Sequence, residues 1–129
     1  MAKVFCLLNH ELTQNQILEL KDKFGVEKIE YPSEQLSKSW SQIPAVEEID
    51  MNIITAIVNW LSSANQNDVL IVQGEFGSTF MLVDYALKKN LVPIYAVTTR
   101  ISKEIRVGEK VQKVNVFEHV CFRKYKFYE

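Results

Sequence analysis

Gln73-Gly-Glu-Phe-Gly-Ser-Thr79 holds the densest group of residues able to do chemistry. Gly74 and Gly77 let the backbone come close to a ligand. If Ser78 or Thr79 opens a helix there, the free N–H groups of its first turn and the two hydroxyls form an anion site, and phosphate is the natural occupant. The segment is not a Walker A loop, since the Lys before Ser/Thr is missing, and it is not a full GxGxxG. A plain tight turn with a capping serine accounts for the same residues. Glu75 offers a general base, yet a carboxylate beside a phosphate is repelled, so an exposed or ribose-binding role suits it better. Phe76 is expected to pack in the core or at an interface unless it stacks on a base.

Two other stretches carry polar residues just after apolar runs. In Thr98-Thr99-Arg100 the guanidinium can grip a phosphate with two prongs while the threonines donate hydrogen bonds. Pairing of Arg100 with a neighbouring carboxylate is the plainer alternative. In Asn9-His10 the imidazole is of a type that titrates near neutrality, able to protonate a leaving oxygen or only to hydrogen-bond a phosphate. His10 as a purely structural group is the competing reading, and His119 has less context still. No spacing suits zinc, no Ser-His-Asp order is arguable and no carboxylate cluster suggests a divalent metal, so neither metal nor cofactor is expected.

The elements that would position these residues follow from periodicity. Val4–Leu8 and Asp68–Gln73 are continuous apolar runs, as strands buried on both faces require. Glu11–Phe24 has helical spacing with Gly25 as C-cap. Val26–Tyr31 alternates as a short strand, and Ser33–Pro44 is polar and loop-like, although Leu36 and Trp40 could make a helical turn. Val46–Leu61 carries one helical stripe, and a nearly all-apolar helix capped by Ser78 or Thr79 runs to about Asn90. Leu91–Val97 reads as a strand that ends in Thr98, Thr99 and Arg100. Beyond it, Glu104–Val107, Lys110–Val116 and Val120–Phe127 alternate with period 2, as antiparallel edge strands. This predicts an α/β fold: a Rossmann-like three-layer domain with parallel central strands and C-terminal antiparallel strands. Ligands of such sheets sit beyond the carboxyl ends of the strands, where all three polar stretches are expected to meet.

The 129 residues, 47% apolar and 24% charged, fit a single globular domain spanning 1–129 and exclude a disordered or collagenous chain. The net charge of −1 is uneven: 100–129 holds eight basic and four acidic residues, 1–99 seven and twelve. Such asymmetry marks a face that meets an anion, or only a solvated hairpin. Cys6 and Cys121, far apart and without CxxC spacing, read as reduced core residues. No signal peptide or membrane-length apolar run is evident, so a cytoplasmic protein without membrane contact is expected.

With VFCLLNH at 4–10, SQIP at 41–44, VLIVQGEFGSTF at 69–80 and PIYAVTTR at 93–100, the sequence resembles the small stand-alone Csx-type CRISPR-associated proteins of type III systems. These are compact relatives of CARF domains, and some act as ring nucleases. The resemblance spans nearly the whole chain. It implies a CARF-like domain that binds cyclic oligoadenylate, cyclic tetra-adenylate first among the rings, at the two-fold axis of a homodimer, with no DNA partner. It further implies metal-independent cleavage, in which a ribose 2′-OH attacks the adjacent phosphorus and leaves a 2′,3′-cyclic phosphate, switching off second-messenger signalling. Matching positions make His10, Arg100 and Ser78 the catalytic candidates, and Asn9, Gln73, Gly74, Glu75, Phe76, Gly77, Thr79, Thr98 and Thr99 the substrate-binding ones. The absence of a clear base beside any acid favours a competing reading, a sponge or sensor that binds the ring without cutting it. A third reading assigns the basic C-terminal segment, with Tyr125, Phe127 and Tyr128 interleaved, to linear RNA or a protein partner.

Overall fold

Val4–Leu7 and Val69–Val72 are buried along their whole length because they lie side by side in the middle of the sheet, with helices above and below. A computed structural model describes residues 2–129. In chain order the elements are β1 (Ala2–Leu7), α1 (Gln14–Phe24), β2 (Val26–Glu30), α2 (Glu34–Ser41), α3 (Met51–Leu61), β3 (Val69–Val72), α4 (Phe76–Lys88), β4 (Val92–Val107) and β5 (Lys110–Lys124). The sheet order is β2-β1-β3-β4-β5, the first four strands parallel and β5 antiparallel. This is an α/β architecture of the Rossmann-like kind.

Alternation along the central strands divides the core. Phe5, Leu7, Leu70 and Val72 face α2, α3 and α4, packing with Trp40, Ile57, Leu61 and Leu82. Val4, Cys6, Val69 and Ile71 face α1, packing with Leu20, Ile94 and Phe122. Fully burying each such aliphatic side chain contributes about 1.5–3 kcal/mol. Asp68, itself buried, accepts from the Lys3 and Asn65 N–H groups and so fastens the start of β1 to the start of β3. Gly25 closes α1 with a φ of 64°, the left-handed turn a C-cap glycine provides.

Several expectations are corrected. Ser33–Pro44 is not a loop: Ser33 caps α2 by accepting from the Leu36 N–H, and Trp40 is buried on its inner side. The stripe from Val46 becomes helix only at Met51, where Asp50 caps it. Most consequential, Leu91–Val97 does not end at Thr98. β4 runs on to Val107 and pairs with β5 through Val107↔Lys110, so two long strands replace the four short ones expected. Gly108 turns the hairpin with a φ of 65°, as the first central position of a two-residue II′ loop requires. No helix among the described residues is long and apolar enough to cross a membrane.

Candidate functional site

Strand order reverses between β1 and β3, since β2 lies to one side of that pair and β4 to the other. The crevice of such a sheet opens beyond the carboxyl ends of those two strands. There the Gln73 N–H donates to the Leu7 carbonyl at 3.3 Å, and the Ala96 N–H donates to Gln73 Oε1 at 2.9 Å. Gln73 thus bridges the ends of β1, β3 and the middle of β4 through its own amide. Its carbonyl accepts from Trp40 Nε1 at 2.9 Å, which draws α2 over the same point. Gly74 is required by this packing: a Cβ there would sit 2.6 Å from the indole.

The anion site expected at Gly77–Thr79 is filled by the chain itself. Glu75, not Ser78 or Thr79, is the N-cap of α4, and its carboxylate accepts from the Gly77 N–H, the Ser78 N–H and the Ser78 hydroxyl, each at 2.9 Å. Ser78 is buried, so its hydroxyl holds Glu75 in place. The Gly77 N–H first, then both Ser78 donors, keep the Glu75 carboxyl below the usual glutamate range. A folded-state pKa below the unfolded one stabilises the protein above the unfolded value, and that stabilisation is lost as pH falls through the folded value. Glu75→Gln is therefore expected to lower the melting temperature at neutral pH and to flatten its decline between about pH 5 and pH 3. An acid limb unchanged from that of the parent protein would contradict the cap.

Two hollows open near the carboxyl ends of the strands, and Gln73 and Gly74 line the smaller. The larger, about 860 Å³, is lined by Asn9, His10, Glu11 and Tyr31 after the first two strands and by Glu34, Ser37, Lys38 and Ser41 of α2, with Cys6 also lining it. Its size suits a small-molecule ligand, for which pockets of about 300–1,000 Å³ are usual. His10 Nδ1 donates to the Glu11 carbonyl at 2.8 Å, so the neutral ring keeps Nε2 as its acceptor. Burial pushes the Cys6 thiol up to about 12, which leaves it protonated and without nucleophilic character. The Tyr31 hydroxyl is likewise pushed above the usual tyrosine range, by burial first and then by the Glu11 carboxylate. The sequence does not single out Ser37, Lys38 and Ser41 because their segment reads as loop-like; with Glu34 they fall at i, i+3, i+4 and i+7 on one helical face, which is the available signal.

The smaller hollow, about 440 Å³, is lined by Gln73, Gly74, Phe76, Thr79, Phe80, Val83, Tyr95 and Tyr125. Thr79 Oγ1 is buried there without a hydrogen-bond partner among the described residues. Phe76 is not core but 93% exposed at its rim. Tyr125 donates to the Val72 carbonyl at 2.9 Å and stacks on Tyr95 at 4.7 Å, closing the floor.

The expected residues are thus divided. Asn9 and His10 enter the larger hollow, and Gln73, Gly74, Phe76 and Thr79 the smaller. Thr98, Thr99 and Arg100 line neither, because β4 carries them past the sheet edge opposite His119, Glu118 and Phe117. His119 has a structural place: its Nε2 donates to Glu19 Oε1 at 2.7 Å, Gln16 Nε2 donates to its Nδ1 at 3.3 Å, and Glu19 Oε2 accepts from the Phe122 N–H. Both cysteines are free. Among the described residues no group of three or more His, Cys, Asp or Glu is placed to hold a metal ion.

Comparison with known proteins gives the chain a family. The sequence profile of the Uncharacterized protein MJ1673 family matches residues 2–123. A relative with that name from Methanocaldococcus jannaschii is 39% identical over 130 residues, which cover 99% of this chain and 100% of the relative. No solved structure matches. A profile match over nearly the full length, joined to this identity, means that the chain belongs to the MJ1673 family.

Proposed function

We propose that the protein is a ring nuclease of type III CRISPR defence, acting in the cytoplasm on cyclic oligoadenylate, and on cyclic tetra-adenylate first. The observation that carries this reading is the larger cleft, where His10 lies with Lys38, Ser37 and Ser41 beyond the carboxyl ends of β1 and β2. The resemblance of segments 4–10, 41–44, 69–80 and 93–100 to the CARF-related Csx proteins supplies the ligand class. Lys38 would neutralise a phosphate and the two serines would hydrogen-bond it, while Glu11 and Glu34 would accept from ribose hydroxyls. His10 Nε2 would take the proton of a ribose 2′-OH as that oxygen bonds to phosphorus. The P–O5′ bond breaks, a 2′,3′-cyclic phosphate remains, the departing O5′ takes a proton from solvent water, and His10 returns its proton to solvent. A self-attacking ring asks the protein mainly for orientation and charge stabilisation. Of the other two catalytic candidates, Arg100 is outside the cleft and Ser78 is engaged by Glu75, so neither enters this step.

That separation of His10 from Arg100 and Ser78 favours a second reading, in which the ring is held but not cut. One experiment distinguishes the two. Protein incubated with cyclic tetra-adenylate and EDTA is expected to yield a linear product ending in a 2′,3′-cyclic phosphate. Tight binding with intact ring by chromatography establishes the second reading instead. Neither binding nor product overturns both.

A further inference from the structure

β3 accompanies β4 only along Val92–Ile94, so from Tyr95 onward β4 and β5 are a two-stranded ribbon. Its outer part, Thr99–Val107 paired with Lys110–Glu118, extends about 30 Å and is exposed on both faces, only Ile101 and Val116 being half-buried. Register sorts its side chains. Ile101↔Val116, Lys103↔Val114, Ile105↔Gln112 and Val107↔Lys110 share one face; Arg100↔Phe117, Ser102↔Asn115, Glu104↔Lys113 and Arg106↔Val111 share the other. The first face is apolar and continues Tyr95 on the α4 side; the second is largely polar, with a Ser102–Asn115 hydrogen bond of 2.9 Å. A lone two-stranded ribbon with an uncovered apolar face is marginal in water.

A complementary surface exists on the same molecule. Phe76 and Phe80 of α4 are 93% and 73% exposed. Beside them Ile49 packs against Gly77, which places the acidic segment Glu47-Glu48-Ile49-Asp50 next to the aromatic pair. The arm carries five basic and three acidic residues over 99–118, whereas 45–50 has three acidic residues and no basic one. Phe76 and Phe80 stay exposed in the presence of the chain's own arm, which leaves this patch uncovered.

We propose that the arm docks on a second copy of this chain, its Ile101–Ile105–Val114–Val116 face against the Phe76–Phe80 patch of the partner, with both arms exchanged about a two-fold axis. A ribbon roughly 10 Å wide, with two phenylalanines of about 150–250 Å² each, offers on the order of 600–800 Å² per chain, close to a standard stable interface. The acidic segment and the arm's lysines and arginines then rim the contact with opposite charges, which sets orientation and speeds encounter. The inference stands independently of any cyclic nucleotide, because its readout is mass and not turnover.

Sedimentation velocity at micromolar concentration is expected to find a dimer that weakens as salt is raised. Ile105→Lys with Val114→Lys, at exposed positions of the arm, should weaken it by about 30-fold or more. Phe76→Glu with Phe80→Glu should do the same from the other side, while Glu104→Gln on the polar face leaves the dimer intact. Circular dichroism and cooperative unfolding confirm that each variant still folds. A parent protein that stays monomeric overturns the proposal, including one whose mass rises only when single-stranded RNA is added. So does a dimer that survives both pairs of substitutions.

Discussion

Trp40→Ala is expected to destabilise the protein by about 3–5 kcal/mol, the usual cost of deleting a buried tryptophan side chain. Trp40 is 1% exposed, it joins α2 to the α3–α4 side of the core, and its Nε1 satisfies the Gln73 carbonyl at 2.9 Å. The same contact makes Gly74→Ala costly, by about 1–3 kcal/mol, since its Cβ would lie 2.6 Å from a rigid ring that cannot give way as a chain end would. Gly77→Ala is a useful contrast: its Cβ would meet the tip of Ile49, which can swing aside. Urea unfolding of the four members of a double-mutant cycle gives the decisive comparison. Once Trp40 is alanine, Gly74→Ala should cost less than about 0.5 kcal/mol, because the obstacle is gone. An undiminished penalty in that background would mean that Gly74 is required by its backbone, not by the indole.

The second large effect falls on the proposed chemistry. His10→Ala should slow ring opening by about 10²–10⁴-fold, the range for loss of a general acid or base, with ring binding changed only a few-fold. Lys38→Ala should do the reverse, weakening binding by about ten- to a hundredfold through loss of a charge-assisted hydrogen bond. Single-turnover rates and equilibrium binding measured side by side separate the two. Equal losses of rate and affinity in both variants would mean that the cleft is only a binding surface or that the ring lies elsewhere.

Much of the scaffold is legible in the residues. Val4–Leu7 and Val69–Val72 announce themselves because burial on both faces removes polar residues altogether, and α4 does so because it is apolar nearly all round. Helix α2 is hidden because it turns only Leu36 and Trp40 inward over eight residues, too few for a periodic signal. The cap at Glu75 is hidden because Ser, Thr, Asp and Asn lead at that position, so Ser78 or Thr79 reads as the cap, whereas Ser78 supplies two of the three donors to the Glu75 carboxylate. Thr98-Thr99-Arg100 reads as a strand end because polar residues follow an apolar run. On a ribbon with no helix over it, polar residues are simply what the exposed faces of a continuing strand carry. The site suffers most from this, since three of its twelve expected members, Thr98, Thr99 and Arg100, depend on β4 stopping where it does not.

The strand pairings also set an order of assembly. Val107 and Lys110 are partners across a two-residue turn, whereas Val4 must wait for Val69. Short-range closure is fast and long-range parallel pairing slow, so the ribbon can zip while β1 still lacks its main neighbour. On a ribosome the sequence of events is inverted, because β5 leaves the exit tunnel last. Refolding from denaturant and folding during synthesis therefore begin at opposite ends of this polypeptide.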